Sequence, residues 1–222
     1  MANTPHREKI VEAFLALLAE KPFDKIGLAA VAEKAGVSLA DMRGEFGSTF
    51  DIIAAFMRET DRKVLAGGEG EDAEATARDR LFDVLMRRFE ALQPHREAVR
   101  SLVRSVERHP RFALALNKLA VRSQQWMLSA AGIDSSGLIG GLRAQAVAVM
   151  FARVARVWLD DEDPGLGHTM AELDRDLATG ARLASMLDDL RRLAPRCRPR
   201  RRRARDAERR APGPSDPETM RA

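Results

Sequence analysis

Ser38, Asp41, Arg43 and Glu45 fall within one short stretch of the chain, and Thr49 follows at once. The hydroxyl and the guanidinium can donate to phosphate oxygens or base edges, whereas Asp41 and Glu45 against Arg43 leave this stretch with a formal charge of about minus one against a polyanion. Other catalytic constellations are lacking. There is no G-x-S-x-G, no phosphate-binding loop and no nucleotide fingerprint, and Gly67 to Gly70 lack the strand and helix that such a loop needs. The four histidines (His6, His95, His109, His168) lie too far apart for a metal pair, and Cys197 is the only cysteine, so no metal or cofactor is expected. The acidic run Asp160-Asp161-Glu162-Asp163 has no metal-loop spacing and reads as a solvated loop that opens the next helix. An enzyme is the least supported class.

The polar cluster needs a scaffold, and Leu28 to Phe46 (LAAVAEKAGVSLADMRGEF) supplies one. Ala32 and Ala35 are small enough for two helices to cross closely, Gly36 suits a left-handed helix end, and Ser38 suits the cap of the following helix. Val37, Met42 and Phe46 then fall where a small core needs them. The pattern predicts a helix-turn-helix whose second helix, Leu39 to Phe46, offers Leu39, Ala40, Asp41, Arg43 and Gly44 as candidate DNA contacts, with Ser38 at its start and Thr49 just beyond it. Around it, Thr4-Pro5 opens a first helix that runs to Lys21-Pro22, and Phe50 to Leu65 forms a fourth.

Beyond the Gly67 to Asp72 stretch, five amphipathic segments are expected at 74–92, 95–108, 111–131, 137–160 and 167–192, separated by Pro94, His109-Pro110, Gly132 to Ser136 and Asp163-Pro164-Gly165. No strand-like alternation occurs. The expected fold is all-α, with a helix-turn-helix unit at 1–66, a helical bundle at 74–192 and a disordered Arg/Pro-rich tail at 193–222. In the bundle, Trp126, Met127, Gln145, Met150 and Arg153 are the candidates to line a ligand pocket, although such stripes fill bundle interiors far more often than they bind anything.

The formal charge of +4 is unevenly divided. Eleven arginines against Asp206 and Glu208 give Arg191 to Arg210 a charge of +9, whereas the first 190 residues sum to −4. Residues 1–63 hold nine basic against ten acidic side chains, so composition alone gives nucleic-acid binding no support. The N-terminus has no apolar signal core, and the apolar run Ala144 to Leu159, interrupted by Gln145, Arg153 and Arg156, is expected to fall short of a membrane span. A reducing, cytoplasmic setting is expected.

Residues FDKIGLAAVAEKAGVSLADMRGEFGSTFDII resemble the TetR/AcrR family of transcriptional regulators, through Val31-Ala32, Ala35-Gly36-Val37-Ser38 and Phe46. Asp163-Pro164-Gly165 followed by HTMAELD is similar to the last helices of some members. The resemblance implies a homodimer paired through its last two helices, a grip on double-stranded DNA from the second helix of the motif, and a small-molecule effector bound in the body. Three positions depart from the family pattern: Arg43 replaces a usual tyrosine, Glu45 a histidine or tyrosine, and Thr49 a lysine. FDIIAAF with Asp61-Arg62, and RDRLFDVL at 78–85, also resemble segments of TetR-fold lipid-binding accessory proteins of ubiquinone biosynthesis, which implies the alternative of a lipid carrier without DNA binding.

Overall fold

Every periodic segment in the sequence becomes a helix. The computed structural model describes residues 4–68 and 75–193, with side chains over 6–68 and 75–182. Residues 1–182 form one compact unit and 183–222 a second, and the backbone of the latter is described only as far as Leu193. Among the described residues there are nine α-helices and no strand: α1 (Thr4–Glu20), α2 (Leu28–Ala35), α3 (Leu39–Glu45), α4 (Thr49–Ala66), α5 (Ala77–Leu92), α6 (Arg96–Arg108), α7 (Pro110–Ala130), α8 (Gly137–Asp160) and α9 (Gly167–Leu193). Single 3-10 turns stand at Phe23–Lys25 and Gln93–His95. The expected boundaries shift slightly, because α3 stops at Glu45 with Phe46 already extended, and Ser48 caps an α4 that begins at Thr49. The predicted joint keeps a turn at Gly67-Gly68, and the rest of it, like the predicted tail beyond Leu193, lies outside the described residues.

One apolar core runs through the first unit. Ile10, Phe14, Leu17 and Leu18 of α1 meet Val31 and Ala32 of α2, Met42 of α3, and Ile52, Ile53 and Phe56 of α4. It continues through Leu81, Leu85 and Phe89 of α5, Met127 and Leu128 of α7, and Val154 and Trp158 of α8. Phe23 stacks on Phe112 with centroids 4.4 Å apart, and Phe50 meets the same ring edge-on at 6.2 Å, so α7 closes over the turn between α1 and α2.

A buried charge ties the helices together. Asp61 of α4 pairs with Arg88 of α5 and accepts a 2.7 Å hydrogen bond from the Ser123 hydroxyl of α7. The Arg88 guanidinium also lies 5.5 Å from the Phe151 ring of α8, which stacks on Phe89 at 4.5 Å. Along the packed pair α7 and α8, Asn117 and Gln145 exchange two side-chain hydrogen bonds of 2.9 and 3.1 Å. The buried face of α8 holds the small residues Gly140, Ala144 and Ala148. At Gly140 a Cβ would collide with the backbone of Ser135, so that position admits nothing larger. This helix has 24 residues and is long and apolar enough to cross a bilayer by length and composition, a test that core helices also meet. The expectation of a short span counted only its Ala144 to Leu159 stretch.

The acidic corner between α8 and α9 is a capping device. Arg96 and Arg100 of α6 donate to the carbonyls of Trp158, Leu159 and Asp161, and Arg100 also binds the Asp160 carboxylate at 2.8 Å, so cations from a neighbouring helix offset negative charge at the end of α8. Asp163 accepts from the N–H groups of Gly165 and Gly167, both at 3.0 Å. Asp161 is buried, not solvated as the sequence suggested, and accepts from the Thr169 N–H at 2.8 Å and the Thr169 hydroxyl at 2.7 Å. Burial works against its charge, yet the bonds from Thr169 and from the Asp163 N–H outweigh that and hold its pKa below the ordinary carboxylate value. A pKa that is lower folded than unfolded stabilises the fold fully above about pH 4 and is lost as pH falls through the folded value. Asp161→Asn should therefore lower the melting temperature at neutral pH, and the gap to the parent should narrow below about pH 4, as read by thermal denaturation over a pH series.

Candidate nucleic-acid interface

The helix-turn-helix segment is built by two local devices. Gly36 takes φ 65° and ψ 36°, and the Val37 N–H then donates to the Ala32 carbonyl at 3.0 Å while that of Gly36 donates to Glu33 at 3.1 Å, which closes α2. Two residues later Ser38 opens α3 with a capping box. Its Oγ accepts from the Asp41 N–H at 3.0 Å, and Asp41 Oδ2 accepts from the Ser38 N–H at 3.4 Å and from its hydroxyl at 2.6 Å. The Ser38 hydroxyl and backbone bonds, with His6 nearby, hold the Asp41 carboxyl below its usual range. Asp41 thus stays ionised and turned toward its own helix start.

Met42 faces inward and Phe46 closes the unit behind it, both buried. Leu39, Ala40, Asp41, Arg43 and Gly44 are exposed. Arg43 forms no ion pair or hydrogen bond among the described residues and lies close to Gly47, at the entrance to α4. There the Asp51 N–H donates to Ser48 Oγ at 3.2 Å and the Gly47 N–H to Asp51 Oδ2 at 3.2 Å. Thr49 is half-buried as the first residue of α4.

Glu45 does not face outward. Its side chain is only 12% exposed and pairs with Arg7 of α1 at 3.5 Å, while the same guanidinium lies 4.6 Å from the Phe46 ring. The carboxylate that replaces the histidine or tyrosine of the family pattern is therefore drawn back and paired by the first turns of α1. This contact is not visible in sequence, where 38 positions separate the two residues. Lys34, by contrast, is engaged with Glu20 at 3.2 Å.

The pocket candidates do not converge on one lining. Trp126 is exposed while its neighbour Met127 is fully buried, and Met150 is half-buried against the core. Gln145 is held by Asn117, and the exposed Arg153 pairs with Asp176 and Glu172 of α9. Sequence reasoning missed Asp61 and Arg88. The available signal was position, since Arg88 falls on the apolar stripe Leu81, Leu85, Leu92 and Asp61 on the stripe Ile53, Val64.

No protein-family model and no curated protein matches this sequence. Solved structures do. A TetR transcriptional regulator from Nitrosomonas europaea superposes with a TM-score of 0.61 at 23% identity, covering 79% of this chain and 97% of its own. One from Rhodococcus sp. RHA1 gives 0.57 at 20% identity over 81% and 97%, and a TetR-family regulator from Streptomyces coelicolor 0.53 at 16% over 82% and 86%. The chain has the all-α fold of the TetR-family transcriptional regulators.

The Gly36 backbone makes a stability prediction. A Cβ there would touch nothing within 4 Å, so the only penalty of Gly36→Ala is its left-handed φ. That substitution should cost about 1 kcal/mol in chemical denaturation, and Gly36→Asn clearly less.

Proposed function

We propose that the protein is a DNA-binding transcriptional regulator that works as a homodimer in the cytoplasm, a repressor released by a small molecule. The observation that carries this reading is the outer face of α3: a capped helix whose Arg43 is unengaged among the described residues, while its two acids are tied to Ser38 and Arg7. Leu39, Ala40, Arg43 and Gly44 then meet base edges, and Ser38 and Thr49 lie near the N-terminal ends of α3 and α4, where backbone N–H groups favour phosphate. The helix-turn-helix of 1–66 is the DNA-binding part, and the helices after it carry dimer and effector functions.

For the dimer, α8 offers a stripe of large apolar side chains left exposed among the described residues: Leu138, Leu142 and Val149, of which Leu138 is 82% exposed. A second copy of the same face would remove them from water. For the effector, Arg88 Nε and Gln124 Oε1 are buried without a hydrogen-bond partner among the described residues, and Met127 and Met150 are candidates for the wall of the site. An effector bound there would change the spacing of the two α3 helices, so that they no longer fit successive major grooves.

Selection of genomic DNA by the full-length protein at two salt concentrations tests the reading. Enrichment of one palindromic site that persists at the higher salt is expected, and binding without sequence preference that vanishes with salt would overturn it. Arg43→Ala should weaken the enriched site roughly ten- to a hundredfold, the size of one lost base contact. Leu142→Glu should give a monomer by light scattering and abolish binding to the palindrome.

A further inference from the structure

Among the described residues, Leu39 stands apart from the other apolar side chains of the first half of the chain. It is 61% exposed, and the next large hydrophobic residue so placed is Leu114. Core packing does not explain it, because Met42 of α3 and Phe46 just after it already supply the inward side. Nor does capping, which Ser38 and Asp41 carry out between them. It is the first residue of α3, the end of a recognition helix that reaches base edges. Its surroundings favour close approach: Ala40 is small, Gly44 has no side chain and open space above it, and the Asp41 carboxylate is bonded back to Ser38.

The major groove presents donors, acceptors and one apolar group, the C5-methyl of thymine. We propose that Leu39 reads that methyl group and so sets a thymine in each half of the bound site. The inference rests on the DNA-binding reading above and adds to it a base identity. Arg43, four residues on and on the same face, lies about 6 Å further along the helix, so its own contact falls about two base pairs from the thymine when α3 follows the groove.

Uracil in place of thymine removes only the methyl group and leaves pairing intact. In titrations of the full-length protein with the enriched duplex, each thymine is replaced in turn. One position per half-site, about two base pairs from the base that loses discrimination in Arg43→Ala, should weaken the parent by about fourfold, the worth of one methyl contact. Leu39→Ala should bind the thymine and uracil duplexes equally, near the affinity of the parent for uracil, with an unchanged circular dichroism spectrum because the residue lies outside the core. The proposal is overturned if no uracil substitution affects the parent, or if one weakens Leu39→Ala as much as the parent. Failure of the parent to enrich any site would remove the DNA-binding reading itself, and this inference with it, a result distinct from the other two.

Discussion

The buried carboxylate of Asp61 constrains the arrangement of the helices around it. An ionised group withdrawn from water must find opposite charge and hydrogen bonds or it destabilises the fold by several kcal/mol, and Asp61 finds them on two other helices, in Arg88 and Ser123. Those bonds fix how α4, α5 and α7 face one another, and the Phe151 ring beside Arg88 adds α8. Because only three residues separate the end of α3 from the start of α4, what holds α4 in place also bears on where α3 sits. Apolar contacts are more numerous, but they tolerate sliding in a way that a desolvated ion pair does not.

Electrostatics at the surface follow the same rule, that what a carboxylate does depends on its partner. The formal charge of residues 1–63 is slightly negative, yet Asp41, Glu45, Asp51 and Glu20 are all engaged, with Ser38, Arg7, the Gly47 N–H and Lys34 respectively. A count of side chains gives each of them equal weight against a polyanion. The folded chain turns the two acids of α3 toward a helix start and toward α1, and leaves Arg43 outward.

Most helix boundaries were legible because they depend on local physics. Gly36 at a left-handed position, Ser38 as a cap and prolines at helix starts act over two or three residues, and apolar spacing does the rest. Contacts such as Arg7 with Glu45 or Arg96 with the end of α8 join residues 38 and 62 apart, and no local rule anticipates them. Arg88 was missed for another reason: its place on an apolar stripe was visible, but a stripe does not reveal that a carboxylate waits on the facing helix. The pocket candidates show the limit on a helix with apolar residues on several sides, where Trp126 and Met127 are neighbours in sequence and face opposite environments.

The paired amides of Asn117 and Gln145 bear on how the body moves. Two reciprocal hydrogen bonds between half-buried side chains act as a detent, because sliding α7 past α8 by one turn would break both at once and leave four polar groups without partners. What the two amides oppose is shear between the arms of the α7–α8 hairpin, the one displacement that breaks both bonds together.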